Sequence, residues 1–110
     1  MNPELKIRKL KDQLLHLGLM LPGSLAKQWN VCGNPACRCK DPKHPLRHGP
    51  YFQLSFSISG QSSSFFVKKQ DVREVRIRIR RYQKFKKLTL ALTRAHIQLA
   101  RQKGFQGASL

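Results

Sequence analysis

The cleanest periodicity in the chain is a two-residue alternation that begins at Tyr51. Phe52, Leu54, Phe56 and Ile58 alternate with Tyr51, Gln53, Ser55 and Ser57. Successive side chains of a strand point to opposite faces, so this pattern predicts a strand with one apolar side. Ser59-Gly60 is a two-residue turn signal. A tight hairpin closed there sets Ile58 against Gln61, Phe56 against Ser63, Leu54 against Phe65 and Phe52 against Val67. That register gathers Phe52, Leu54, Phe56, Ile58, Phe65 and Val67 on one face, and a slip by one residue would scatter them. The opposite face, with Gln53, Ser55, Ser57, Ser62, Ser64 and Phe66, is polar, uncharged and thin. Tyr51 and Phe66 lie off the apolar face. Packing under a helix is the expected role for them, and stacking on an unpaired base is the alternative.

A period of three and four residues marks two helices. Ile7, Leu10, Leu14 and Leu17 form one stripe, with Asn2 as N-cap and Pro3 at the first helical position. Helix 1 is predicted from Pro3 to about Leu17, stopped by Gly18 and Pro22-Gly23. Val72, Val75, Ile79, Tyr82, Phe85, Leu88, Leu92, Ala95 and Leu99 define a second helix from Asp71 to about Lys103. Asp71 and Glu74 suit its start and Gly104 its stop. "VRIRIR" at 75–80 also alternates with period two, so a strand is the competing reading there. A helix of roughly 30 residues is about 45 Å long. A 110-residue globule cannot cover such a rod, so part of it must protrude, pack on helix 1 or meet a partner, another copy of the chain included. Residues 24–31 alternate poorly and predict at most a short extended piece. The fold expected is α+β in a single domain over 1–110: helix 1 (1–22), a cysteine-bearing loop (23–50), a β-hairpin (51–69) and a long basic helix (70–104).

That loop carries the candidate chemistry. Cys32, Cys37 and Cys39 are the only cysteines, spaced C-x4-C-x-C, and His44 and His48 follow. Structural zinc takes four Cys or His ligands in a closed tetrahedron, so three thiolates need one more donor. His48 is the preferred fourth ligand because it leads straight into the first hairpin strand; His44, between two prolines, is the weaker choice. A disulfide leaves one cysteine over, an iron–sulfur cluster lacks its fourth sulfur, and no Cys-x-x-Cys redox pair is present. Structural zinc is therefore the expected cofactor. Odd, clustered cysteines and the lack of a cleavable apolar leader also point to a reducing cytoplasmic setting.

"CGNPACRC", then "HGPYFQLSF", "FFVKK" and a basic helix with "RYQKF" resemble an uncharacterised bacterial and archaeal family described as a domain of unknown function. Its members read roughly G-S-x4-Y/W-x-x-C-G-x-P-x-C-x-C, then H-G-P-Y-Y. The likeness runs from Gly23-Ser24 to about Leu92, with Phe52 in place of the last tyrosine. It implies Cys32, Cys37, Cys39 and His48 as the ligand set. It also implies an accessory role beside mobile elements, hence with nucleic acid.

Charge points the same way. The chain carries 22 Lys and Arg against 5 Asp and Glu, a net charge of +17. Self-repulsion of that size calls for a polyanion, and nucleic acid is the first candidate. Arg73, Arg76, Arg80, Lys84 and Lys87 trace one helical line, with Arg81 beside it; Arg38, Lys40, Lys43 and Arg47 add cations in the cysteine loop. These are the expected contacts to DNA or structured RNA, mainly to the phosphate backbone. An anionic membrane surface is a weaker partner, since no run of 18 apolar residues exists. A nuclease would want paired carboxylates or an equivalent acid–base set, which the five scattered acids do not supply. The expectation is a non-catalytic binding protein, with a module that assembles with a transposase-like enzyme or with itself as the alternative.

Overall fold

The computed structural model describes residues 2–30 and 48–105. Its elements run α1 (Pro3–Leu15), β1 (Ser24–Asn30), β2 (His48–Ile58), β3 (Gln61–Val67) and α2 (Val72–Lys103), with one 3-10 turn (Lys69–Asp71) before α2. This is the α+β arrangement expected, with one strand more than the hairpin. The described chain forms two compact units that divide α2 between them: residues 2–20 with 80–105, and residues 21–30 with 48–79.

The second unit is built on an antiparallel sheet in the order β1-β2-β3. The β2–β3 register is the one the alternation demands, with Ile58 opposite Gln61, Leu54 opposite Phe65 and Phe52 opposite Val67. Ser59 and Gly60 both have positive φ, 53° and 78°. Two such residues make the turn whose twist matches a right-handed hairpin. β1 adds to the other edge of β2, with Leu25 opposite Leu54 and Gln28 opposite Tyr51. Gly23, at φ 96°, admits the chain to this edge. A Cβ there would stand 2.1 Å from the carbonyl oxygen of Ser55, so only glycine fits.

Leu54, Val67 and Val75 are the buried core of this unit, with Leu21, Leu25, Phe52, Phe56, Val72 and Ile79 packed around them. The first turns of α2 therefore cover one face of the sheet, and the helical reading of 75–80 prevails over the strand. Cover is uneven. Ile58 and Phe65, expected in the core, are 57% and 46% exposed. Ile58 lies at the hairpin tip and Phe65 on the edge strand, where packing against Val75 does not extend.

In the first unit, Asn2 Oδ1 accepts a 2.7 Å hydrogen bond from the Leu5 backbone N–H, which caps α1. α1 ends at Leu15, two residues short of expectation, because His16 leaves the helical region at φ −92°, ψ 0°. Ile7, Leu88 and Ala95 are buried. Lys103 pairs with Glu4 at the start of α1, and Arg81 reaches Leu19 just beyond its end. α1 therefore runs antiparallel to the second half of α2.

Candidate nucleic-acid interface

Arg73, Arg76, Arg80, Lys84 and Lys87 all lie on α2 and are all exposed. With about 100° of turn and 1.5 Å of rise per residue, they fall within an arc of about 80° and span about 21 Å. Val75, buried in the core, points about 140° away from the middle of that arc. The row forms because its three- and four-residue steps keep returning cations to the side opposite the valine. Glu74, the one acid within α2, is held by Arg78 at 3.1 Å, off the row. Among the described residues none of the five has a carboxylate partner.

Two residues the sequence reading passed over continue this row. Arg94 and Arg101 follow Lys87 at steps of seven, each about 20° short of two full turns. Both are exposed. A seven-residue step was the available signal, and the sparser charge after Lys87 hid it. With them the row extends to about 42 Å.

Arg81 stands apart from its neighbours. It is half-buried, and its Nη1 donates a 3.1 Å hydrogen bond to the carbonyl of Leu19. This guanidinium ties the segment after α1 to α2, which gives it structural work inside its own unit. Lys86 sits 5.7 Å from the ring centroid of Tyr82, which in turn stacks on Phe85 with centroids 6.0 Å apart.

Cys32, Cys37, Cys39, Arg38, Lys40, Lys43 and Arg47, like His44, lie outside the described residues. The ends of their segment do not: Asn30 of β1 is paired with His48 of β2. Cys32 is two residues along the chain from Asn30. Strand pairing thus brings the histidine expected to ligate a metal beside the point where the cysteine segment leaves the sheet.

Tyr51 and Phe66 are where expectation and structure part. Neither packs under α2. They project from the face opposite Leu54 and Val67 and are 41% and 68% exposed. The cause is parity: helix contact requires the even-numbered side of β2 and the odd-numbered side of β3. Between them lies Gln53, which is paired with Phe66 and whose Nε2 donates to Ser64 Oγ at 2.9 Å.

A family model described as "Domain of unknown function (DUF6788)" matches residues 3–77. The chain belongs to that family. The DUF6788 match takes in α1, the whole sheet and the start of α2, so it begins earlier and ends sooner than the stretch from Gly23 to Leu92. Comparison with curated proteins and with solved structures gives no match. Among the described residues no helix is long and apolar enough to cross a membrane.

Proposed function

We propose that this DUF6788 protein is a nucleic-acid-binding accessory protein that grips the phosphate backbone of DNA or structured RNA through α2. The observation that carries this reading is the exposed, unneutralised row Arg73, Arg76, Arg80, Lys84 and Lys87 in a chain of net charge +17. Duplex DNA presents one negative charge per about 1.7 Å of axis, so a 21 Å row meets ample phosphate. Such contacts read shape and charge and carry no sequence information of their own. A structural zinc held by Cys32, Cys37, Cys39 and His48 belongs to the same proposal. It would tie the segment between β1 and β2 to the sheet, with Arg38, Lys40, Lys43 and Arg47 displayed around it. The role is non-catalytic and cytoplasmic, within a mobile element or a ribonucleoprotein.

The test is the salt dependence of binding to a duplex and to a folded RNA. Five phosphate contacts correspond to a slope of about −4.5 in log K against log salt, an affinity loss of about 500-fold from 50 to 200 mM. A flat slope would reject the reading. A second reading, assembly with itself or with an enzyme of a mobile element, is favoured by Leu90 and Ile97. They lie seven residues apart on α2 and are 53% and 48% exposed. It predicts an oligomer or protein complex that persists at high salt without nucleic acid.

A further inference from the structure

The face of the sheet turned away from Leu54 and Val67 holds Tyr51, Gln53 and Ser55 on β2, Ser64 and Phe66 on β3, and Ala26 and Gln28 on β1. It has no charged residue within the strands, in a chain where Lys and Arg make up 22 of 110 residues. It carries two aromatic rings and two carboxamides. Exposed rings of this kind mark a contact surface when they sit together. Here Phe66 is opposite Gln53 and Tyr51 is the next residue of β2 on that face, so the rings are diagonal neighbours. Their backbones are about 7–8 Å apart, within reach of one ligand.

We propose that this face, centred on Tyr51 and Phe66, is a stacking platform for the unpaired bases of a nucleic-acid strand. The inference rests on the phosphate-binding reading of α2 and names the form of the ligand that the sheet takes. Charge complementarity identifies the occupant. Lys68 directly follows β3 in extended backbone, φ −66°, ψ 146°. It is exposed and lies two residues along the chain from Phe66. Lys69 follows, also exposed. Aromatic rings flanked by cations match a ligand that alternates flat apolar bases with phosphates, as in single-strand recognition on open sheets. Gln28, opposite Tyr51, and Gln53 supply amide groups at the level of the rings, able to donate to and accept from a base edge.

The paired, stacked bases of a duplex offer no free face to these rings. Stacked bases in a strand step by about 3.4 Å and are shielded by their neighbours. Side chains rooted about 7–8 Å apart on one sheet face can stack only on bases that have left their own stack, because a stacked, paired base has no free face. α2 and the sheet thus divide the work. The helix row accepts phosphates of any nucleic acid, and the sheet accepts only strands with free base faces.

The experiment uses the full chain and labelled oligonucleotides of about 12 nucleotides, oligo(U) and oligo(dT), beside a duplex of about 20 base pairs. Phe66→Ser and Tyr51→Ser change exposed side chains and leave Leu54, Val67 and Val75 untouched. Each should weaken binding to both single strands by about 5- to 150-fold, the loss of one base–aromatic stack. Duplex affinity should stay within about twofold and the salt slope should be unchanged, as phosphate contacts dominate it. Phe66→Trp should retain single-strand binding. In the unaltered protein, a strand bearing 5-iodouracil should photocrosslink to Tyr51 or Phe66. Single-strand affinity unmoved in the double serine variant, or crosslinks confined to α2, overturns the platform while duplex binding with a steep salt slope leaves the helix reading standing. Failure of the unaltered protein to bind either strand or duplex overturns both.

Discussion

Neutralising part of the α2 row is the sharpest perturbation of the proposed function. Lys84→Gln with Lys87→Gln removes two of the five cations and keeps good helix formers at both positions. Both side chains are exposed, and among the described residues neither has an ion pair that the change would break. Stability should therefore stay near that of the parent. Each phosphate contact contributes about 0.9 to the salt slope on duplex DNA, so the double variant should lose about 1.8 of it. Between 50 and 200 mM salt its affinity should consequently change about 12-fold less than that of the parent. Fluorescence anisotropy titrations of a labelled duplex at four or five salt concentrations measure this directly. Arg8→Gln with Lys9→Gln removes the same charge from exposed positions of α1 and controls for net charge alone. If both variants lose the same slope, binding follows the total charge and the row has no special part in it. If neither loses any, α2 does not meet phosphate.

Leu54→Ala should cost about 2–5 kcal/mol, because the side chain is wholly buried on the central strand; urea denaturation reads it, and a loss below 1 kcal/mol would contradict the core assigned to the sheet. Arg81→Ala should destabilise by roughly 1 kcal/mol through the lost bond to the Leu19 carbonyl and leave the salt slope of duplex binding nearly unaltered, whereas a phosphate contact would lower that slope by about 0.9. The hydrogen bond and charge of Lys103 hold the Glu4 carboxyl below its ordinary value of about 4.5. Its contribution is present above that pH and is lost as pH falls through the depressed folded value. Glu4→Gln should therefore lower the melting temperature at neutral pH, and the difference from the parent should shrink below about pH 4; a difference constant with pH would rule out the ion pair. Elemental analysis should find one zinc per chain and almost none in Cys37→Ser, and a metal-free parent would remove zinc from the proposal.

The hairpin register was legible to the residue because its signal is local and redundant, although β2 begins at His48, three residues before the alternation. Four alternating apolar residues, a Ser-Gly turn and a one-sided β3 admit a single register. The two helices were legible for a similar reason, though α1 ends early where His16 turns out of the helix. β1 was not legible. Leu25 and Lys27 share a face, so the strand lacks a clean alternation, and it forms because β2 offers it an open edge and Gly23 can approach Ser55 closely. The row of cations could be traced by counting; Arg94 and Arg101 escaped it because they follow at steps of seven, where the steps of three and four give out.

By itself, then, the amino-acid order determined whatever depends on near neighbours: helix and strand periodicity, turn chemistry, the spacing of the cysteines and the total charge. Tertiary structure decided which of those features face solvent. It turned Tyr51 and Phe66 outward, committed Arg81 to the Leu19 carbonyl, and set His48 beside Asn30 across 17 intervening residues. The physical reason is that side-chain parity says which residues share a face, while only long-range packing says which face is covered. Among the described residues, the face of the sheet that α2 leaves open is the one that carries Tyr51 and Phe66.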